Sequence, residues 1–278
     1  MTDVRDAASL EELIPDKQRD LAAAKQAIAG PVPLIPEAPD TRLTLPRGLY
    51  VKGVHKKEVV VRELNGADEE ALAKAKDPQD LFDLMLALGT VSIDDFNLDE
   101  LSVVEREAYL RMLLIGERDQ VFLAIIKVSF GETKTISFTC SACGEKQDVD
   151  LLLSDDFKPQ EVPDDLSMES FDYRTTKGHD LVVRLVTGED QSEAFSRKNA
   201  SIAEQNTIIL SRCIVKLNGG LVPDPMSYAR SLSIKDRSAL LADLMRRQPS
   251  INLGVTTQCA ACNADQSLPI SWGDLFRS

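Results

Sequence analysis

Four of the five cysteines stand in two C-x-x-C pairs, Cys140 with Cys143 and Cys259 with Cys262. A C-x-x-C turn delivers two thiolates from one tight knuckle, and two knuckles supply the four ligands that zinc takes in a tetrahedron. Gly144 follows the first pair and Asn263 the second, and both residue types tolerate the left-handed backbone such a turn requires. We therefore expect one structural Zn2+ per chain, held by Cys140, Cys143, Cys259 and Cys262. A redox-active C-x-x-C would open a helix, whereas here each pair is followed by polar residues and then a strand-like run. A catalytic zinc keeps an open position, which four cysteines do not leave. Buried free thiols are the remaining alternative, because 115 residues separate Cys143 from Cys259, far more than a zinc ribbon usually spans.

Other candidates are weaker. His55 and His179, the only histidines, fall in expected hairpin turns. No G-x-x-x-x-G-K-[ST] phosphate loop occurs, and Gly219-Gly220 reads as a turn between IVKL and LVP. The acidic pairs Asp94-Asp95, Asp155-Asp156 and Asp164-Asp165 suit solvated loops better than metal clusters. Arg106 and Arg237 each follow an acid and are expected at the surface, with pairing to the other half of the chain as the alternative. Cys213, inside IILSRCIVKL, reads as a small core residue. No catalytic set emerges, and we expect no enzyme and no small-molecule substrate.

The elements that must position the cysteines follow from apolar spacing. Residues 1–30 carry Leu10, Leu13, Ile14, Leu21, Ala24 and Ile28 at helical intervals, an amphipathic N-terminal arm. Residues 31–47 contain five prolines and read as a stiff linker. GLYVKGV and EVVVREL, joined at His55-Lys56-Lys57, read as a hairpin. Leu81, Leu84, Met85 and Leu88 mark a helix over residues 77–88, and residues 101–117 continue as another. Strands TISFTC and QDVDLLL flank the first cysteine pair.

This order recurs. FDYRTTKGHDLVVRLVTGED reads as a second hairpin, residues 101–114 align without a gap on residues 232–245, and a C-x-x-C between strands follows each helix. Three elements in one order suggest a duplicated unit, with a first half over residues 48–165 and a second over residues 166–278. The expected fold is α+β: two pseudo-repeated halves (hairpin, helices, cysteine knuckle) joined by a shared four-cysteine, zinc-ribbon-like site, with an N-terminal helical arm.

Composition narrows the function. The formal net charge of -13 repels phosphate backbones and argues against nucleic acid as a partner. Only 5% of residues are aromatic, too few for a base-stacking surface. The first residues show neither the basic start nor the apolar run of a signal peptide or membrane span, so a soluble cytosolic protein is expected.

Three segments in this order carry a family resemblance: LTLPRGLYV; LSVVEREAYLRMLLIGE followed by FTCSACGEKQDVDL; and the closing QCAACNADQSLPISWGDLF. With them the chain resembles the baseplate hub assembly chaperone family of contractile-tailed phages, the T-even type baseplate assembly protein. The resemblance implies a non-enzymatic protein that binds other phage tail and baseplate proteins, acts in the host cytoplasm during assembly, and either leaves or stays in the virion baseplate. The N-terminal arm departs from shorter members and suggests a tether to partners.

Overall fold

Arg42–Val51 forms β1 and Val54–Val61 forms β2, and they pair antiparallel through a two-residue turn in which Lys52 and Gly53 both have positive φ. That turn type favours glycine in a hairpin. The turn lies before His55-Lys56-Lys57, the segment expected to form it, and those three residues belong to β2 instead. The computed structural model describes residues 41–162, 170–197 and 199–276. The expected N-terminal helix, the linker up to residue 40 and Asp164-Asp165 lie outside these. The linker was expected to reach residue 47, but residues 42–47 are strand and Leu45 is fully buried. Pro46 is accommodated at a bulge between Thr44 and Leu49, on an edge strand, where a missing donor costs no ladder bond. Gly48 makes the bulge possible, since it adopts φ 75° and a Cβ there would collide with the Lys56 carbonyl.

The chain continues through α1 (Gly66–Leu72), α2 (Pro78–Gly89), β3 (Thr90–Ile93), β4 (Phe96–Asn97), α3 (Val103–Arg111), α4 (Ile115–Phe130), β5 (Thr133–Thr139), β6 (Lys146–Leu152) and α5 (Leu153–Asp156). It then forms β7 (Ser170–Arg174), β8 (Asp180–Arg184), α6 (Gly188–Ser196), α7 (Ile202–Cys213), β9 (Ile214–Leu217) and β10 (Gly220–Leu221). The last elements are α8 (Pro225–Ser231), α9 (Ile234–Arg246), β11 (Gly254–Gln258), β12 (Asp265–Pro269) and α10 (Trp272–Phe276). β1 to β4 make one antiparallel sheet in sequence order, and β7 to β10 make another. The ribbons β5-β6 and β11-β12 stand apart from both. The fold is thus mixed α and β with small sheets.

Local signals explain the helix starts. Ser102 caps α3 in a reciprocal box with Glu105, and Ser233 accepts from Asp236 N at the start of α9, so the matched Leu-Ser dipeptides are helix entries. The segment 101–117, expected as one helix, breaks at residues 112–114. Leu113 and Leu114 are fully buried there, and Leu114 bridges to Thr187 while Ile115 N donates to Val186 O at 3.2 Å. Burying two successive leucines on opposite sides is incompatible with one amphipathic face. The buried Glu117 carboxylate holds the break by accepting from Leu114 N at 3.1 Å and from Arg47 N and Gly48 N, each at 2.6 Å.

Two apolar clusters form the interior, and they interlock. The first surrounds Val59, Leu86, Ile93, Ile125 and Ile126 and also takes Ile251, Val255, Ile270 and Leu275 from the end of the chain. The second surrounds Val183, Leu210, Cys213 and Leu240 and takes Leu114 from the first half. Arg118, 1% exposed, is sealed between them against Asp83 with its guanidinium over the Phe82 ring, and its Nη1 reaches Gln191 at 3.3 Å. Arg106 and Arg237 are neither surface residues nor links between halves. Arg106 binds the carbonyls of Leu101, Ala87 and Asp99, and Arg237 those of Ala229 and Ala203, so each ties loop and helix ends within its own half.

Candidate metal centre

The two ribbons present the four cysteines at their tips. β5 and β6 run in register to the pair Thr139 and Lys146, and β11 and β12 to Gln258 and Asp265, so each C-x-x-C occupies the connecting turn. Both turns close the same way. Cys140 N donates to Glu145 O at 2.9 Å and Gly144 N to Cys140 O at 3.0 Å, while Cys259 N donates to Ala264 O at 3.0 Å and Asn263 N to Cys259 O at 2.8 Å. Gly144 (φ 77°) and Asn263 (φ 58°) adopt the left-handed conformation expected of them.

The two tips meet. All four Sγ atoms lie within 4.8 Å of one another, with Cys140 and Cys262 at 3.8 Å and Cys143 and Cys259 at 3.7 Å. Four sulfurs placed about 2.3 Å from a central ion in a tetrahedron stand about 3.8 Å apart, so the cluster has the size of a four-thiolate site. The thiols are free, far beyond the ~2.05 Å of a disulfide. Cys140 and Cys259 are buried, and Cys143 and Cys262 face outward.

Two residues outside the C-x-x-C pairs complete the centre. Gln147, on β6, accepts from Ala260 N at 2.9 Å, which orients its amide so that Nε2 donates to Cys259 Sγ at 3.0 Å. Gln266, on β12, accepts from Ser141 N and Ser141 Oγ, each at 2.9 Å. Each glutamine therefore reaches from its own ribbon into the opposite knuckle. The amide of Gln147 is the largest influence on the Cys259 thiol and helps to hold it down at about 6, which favours a thiolate at that one sulfur. At Cys143 and Cys262 the backbone donors of Glu145 and Ala264 are outweighed by neighbouring thiols, which raise both. A signal was available, because each glutamine stands four residues after the second cysteine of its pair.

Two sheets, two ribbons and the cysteine cluster that joins the ribbons extend over most of the chain. The model of the family described as T4 bacteriophage base plate protein matches residues 49–271. The chain belongs to that family. The match includes both cysteine pairs, both glutamines, the second sheet, and all of the first sheet of this baseplate protein except residues 42–48 of β1. No curated protein and no solved structure matches it.

The remaining candidates lie elsewhere. Cys213 is fully buried at the end of α7, and burial pushes its thiol up to about 12, which makes it inert core. His55 lies on β2 with its ring 4.9 Å from that of Tyr50. His179 closes the β7-β8 turn, and its Nδ1 is 3.0 Å from the Tyr228 hydroxyl. Asp94 lies in the turn between β3 and β4 and accepts from Lys57 N and Glu58 N on β2, while Asp95 pairs with Lys56. Among the described residues no helix is long and apolar enough to cross a membrane.

Proposed function

We propose that this baseplate protein acts in tail assembly by binding other phage tail and baseplate proteins, and that one structural zinc locks its two ribbons together. The observation that carries the reading is the four-sulfur cluster joining two cysteine pairs with 115 residues between them, in a chain of the baseplate family. Zinc is the metal best matched to four thiolates in this geometry, and such a site leaves no open position for catalysis. The reading is therefore non-enzymatic. The acidic balance disfavours nucleic acid and favours basic protein surfaces.

A duplicated origin of the body is part of this proposal. It is supported by the two sheets of like order, the two capped helices, the two identically closed knuckles and the reciprocal glutamines. Arg62 with Asp68 at 2.7 Å and Arg184 with Asp190 at 2.6 Å repeat one ion pair between sheet and helix start. Asp94 and Asn218 share φ 49° in the turn after the third strand of each sheet.

A chaperone that leaves the hub would act in the host cytoplasm, whereas a permanent component would stay in the virion, and the family's description as a base plate protein supports the second reading. Mass spectrometry of purified particles separates them: the chaperone is absent and the component is present. Deleting residues 1–30 is expected to abolish co-purification with tail proteins while the body stays folded. Unchanged co-purification would remove the arm from the account.

A further inference from the structure

Opposite the edge of α2, the start of α10 leaves a cleft of about 460 Å³ walled by aromatic rings. Phe82 and Phe122 stack with centroids 4.6 Å apart, Trp272 meets Phe122 edge-on at 5.1 Å, and Phe276 completes the wall. Polar groups share the lining with these rings, among them Gln79, Gln191 and Asp274, whose carboxylate accepts from Ser271 N and Oγ, and one further carboxylate stands apart from them. The Asp119 carboxylate, on α4, opens into the cleft and takes a hydrogen bond from Trp272. Among the described residues no Lys or Arg forms an ion pair with it, because neighbouring Arg118 commits its guanidinium to Asp83.

A carboxylate placed among aromatic faces without a cation is costly unless something positive joins it. Burial accordingly lifts its pKa to about 7, against the pull of Arg118. The aromatic wall already accepts a guanidinium on one side, where Arg118 lies 5.1 Å from the Phe82 centroid. An incoming ammonium or guanidinium would find an aromatic face and a counter-ion within one cleft, the two groups that bind a desolvated cation.

We propose that this cleft is a socket for a lysine or arginine side chain projecting from a partner protein. The partner being a protein rests on the baseplate reading above, but the chemistry of the socket does not. The net charge of -13 draws basic surfaces toward the chain, and the cleft fixes one of their side chains.

The test uses the full chain and two small probes. Trp272 is the only tryptophan, so its fluorescence reports the cleft alone. Titration with n-butylguanidinium is expected to change that fluorescence saturably, with n-butylurea, its neutral counterpart, binding roughly tenfold more weakly. Asp119→Asn keeps an acceptor for the indole but removes the charge, and it is expected to erase the difference between the probes while circular dichroism shows a folded protein. A response of the wild type to neither probe, or equally to both, would overturn the socket. Failure of the baseplate reading would instead show as a lack of co-purifying tail proteins with probe binding intact.

Discussion

The side-chain amide of Gln147 spans the junction between the ribbons, with Oε1 2.9 Å from Ala260 N and Nε2 3.0 Å from Cys259 Sγ. Gln266 makes the return contact to Ser141. Each knuckle is thus held by a residue of the other ribbon even before a metal is considered, and the centre is built of six side chains rather than four.

Removing the amide of Gln147 leaves the sulfurs in place but strips Cys259 of its donor. Gln147→Ala is expected to lower zinc affinity by about 10- to 100-fold, the usual effect of losing a hydrogen bond to a metal ligand. Competition with a chromogenic chelator measures this, and an unchanged affinity would make the amide incidental.

Loss of a ligand should cost far more. Structural zinc contributes on the order of 10 kcal/mol of apparent folding free energy, comparable to the whole stability of a domain. Cys140→Ser or Cys259→Ser is expected to give insoluble or partly unfolded protein, and a soluble double variant that melts cooperatively would refute a structural metal.

The chemistry of the centre was legible in sequence because it is local: C-x-x-C, then Gly or Asn, then a strand, each written in adjacent residues. The family was legible for the same reason, as ordered motifs along the chain. The glutamines were not, since their partners lie more than a hundred residues away and only the repeated offset hints at them. The break at Leu113 and Leu114 was hidden too, because a run of leucines fits one helix by composition and only the neighbouring Thr187 strip requires a bend. The interlocking of the halves, with Ile251 and Leu275 filling the first core, is a tertiary choice that apolar periodicity does not specify.

The buried pair of Arg118 and Asp83 joins α4 to α2. Asp83→Ala leaves the guanidinium buried without its counter-ion, which typically costs about 3–5 kcal/mol. Urea denaturation is expected to show a loss of that order, and a loss below about 1 kcal/mol would mean that water reaches Arg118.

Two acids should impose opposite pH dependence. Burial alone would raise Asp190, but Arg184, Thr187 N and Arg212 hold it at about 2. The unfolded chain binds the proton more readily, so this stabilisation is complete above about pH 4 and fades as the pH falls toward about 2. Asp119, raised to about 7, keeps a proton that the unfolded chain has released, so its effect is a loss of stability as pH rises from about 4 to about 7. Denaturation midpoints across pH are expected to show Asp190→Asn losing the acid-side decline and Asp119→Asn gaining on the wild type toward pH 8. Parallel profiles for both variants and the wild type would contradict these assignments.

Elemental analysis of the purified chain, with protein concentration measured independently, tests the central claim most directly. The account predicts about one zinc per chain, lost on chelation together with the folded signal. A folded chain without metal would contradict it, because the meeting of Cys140, Cys143, Cys259 and Cys262 would then serve no ion.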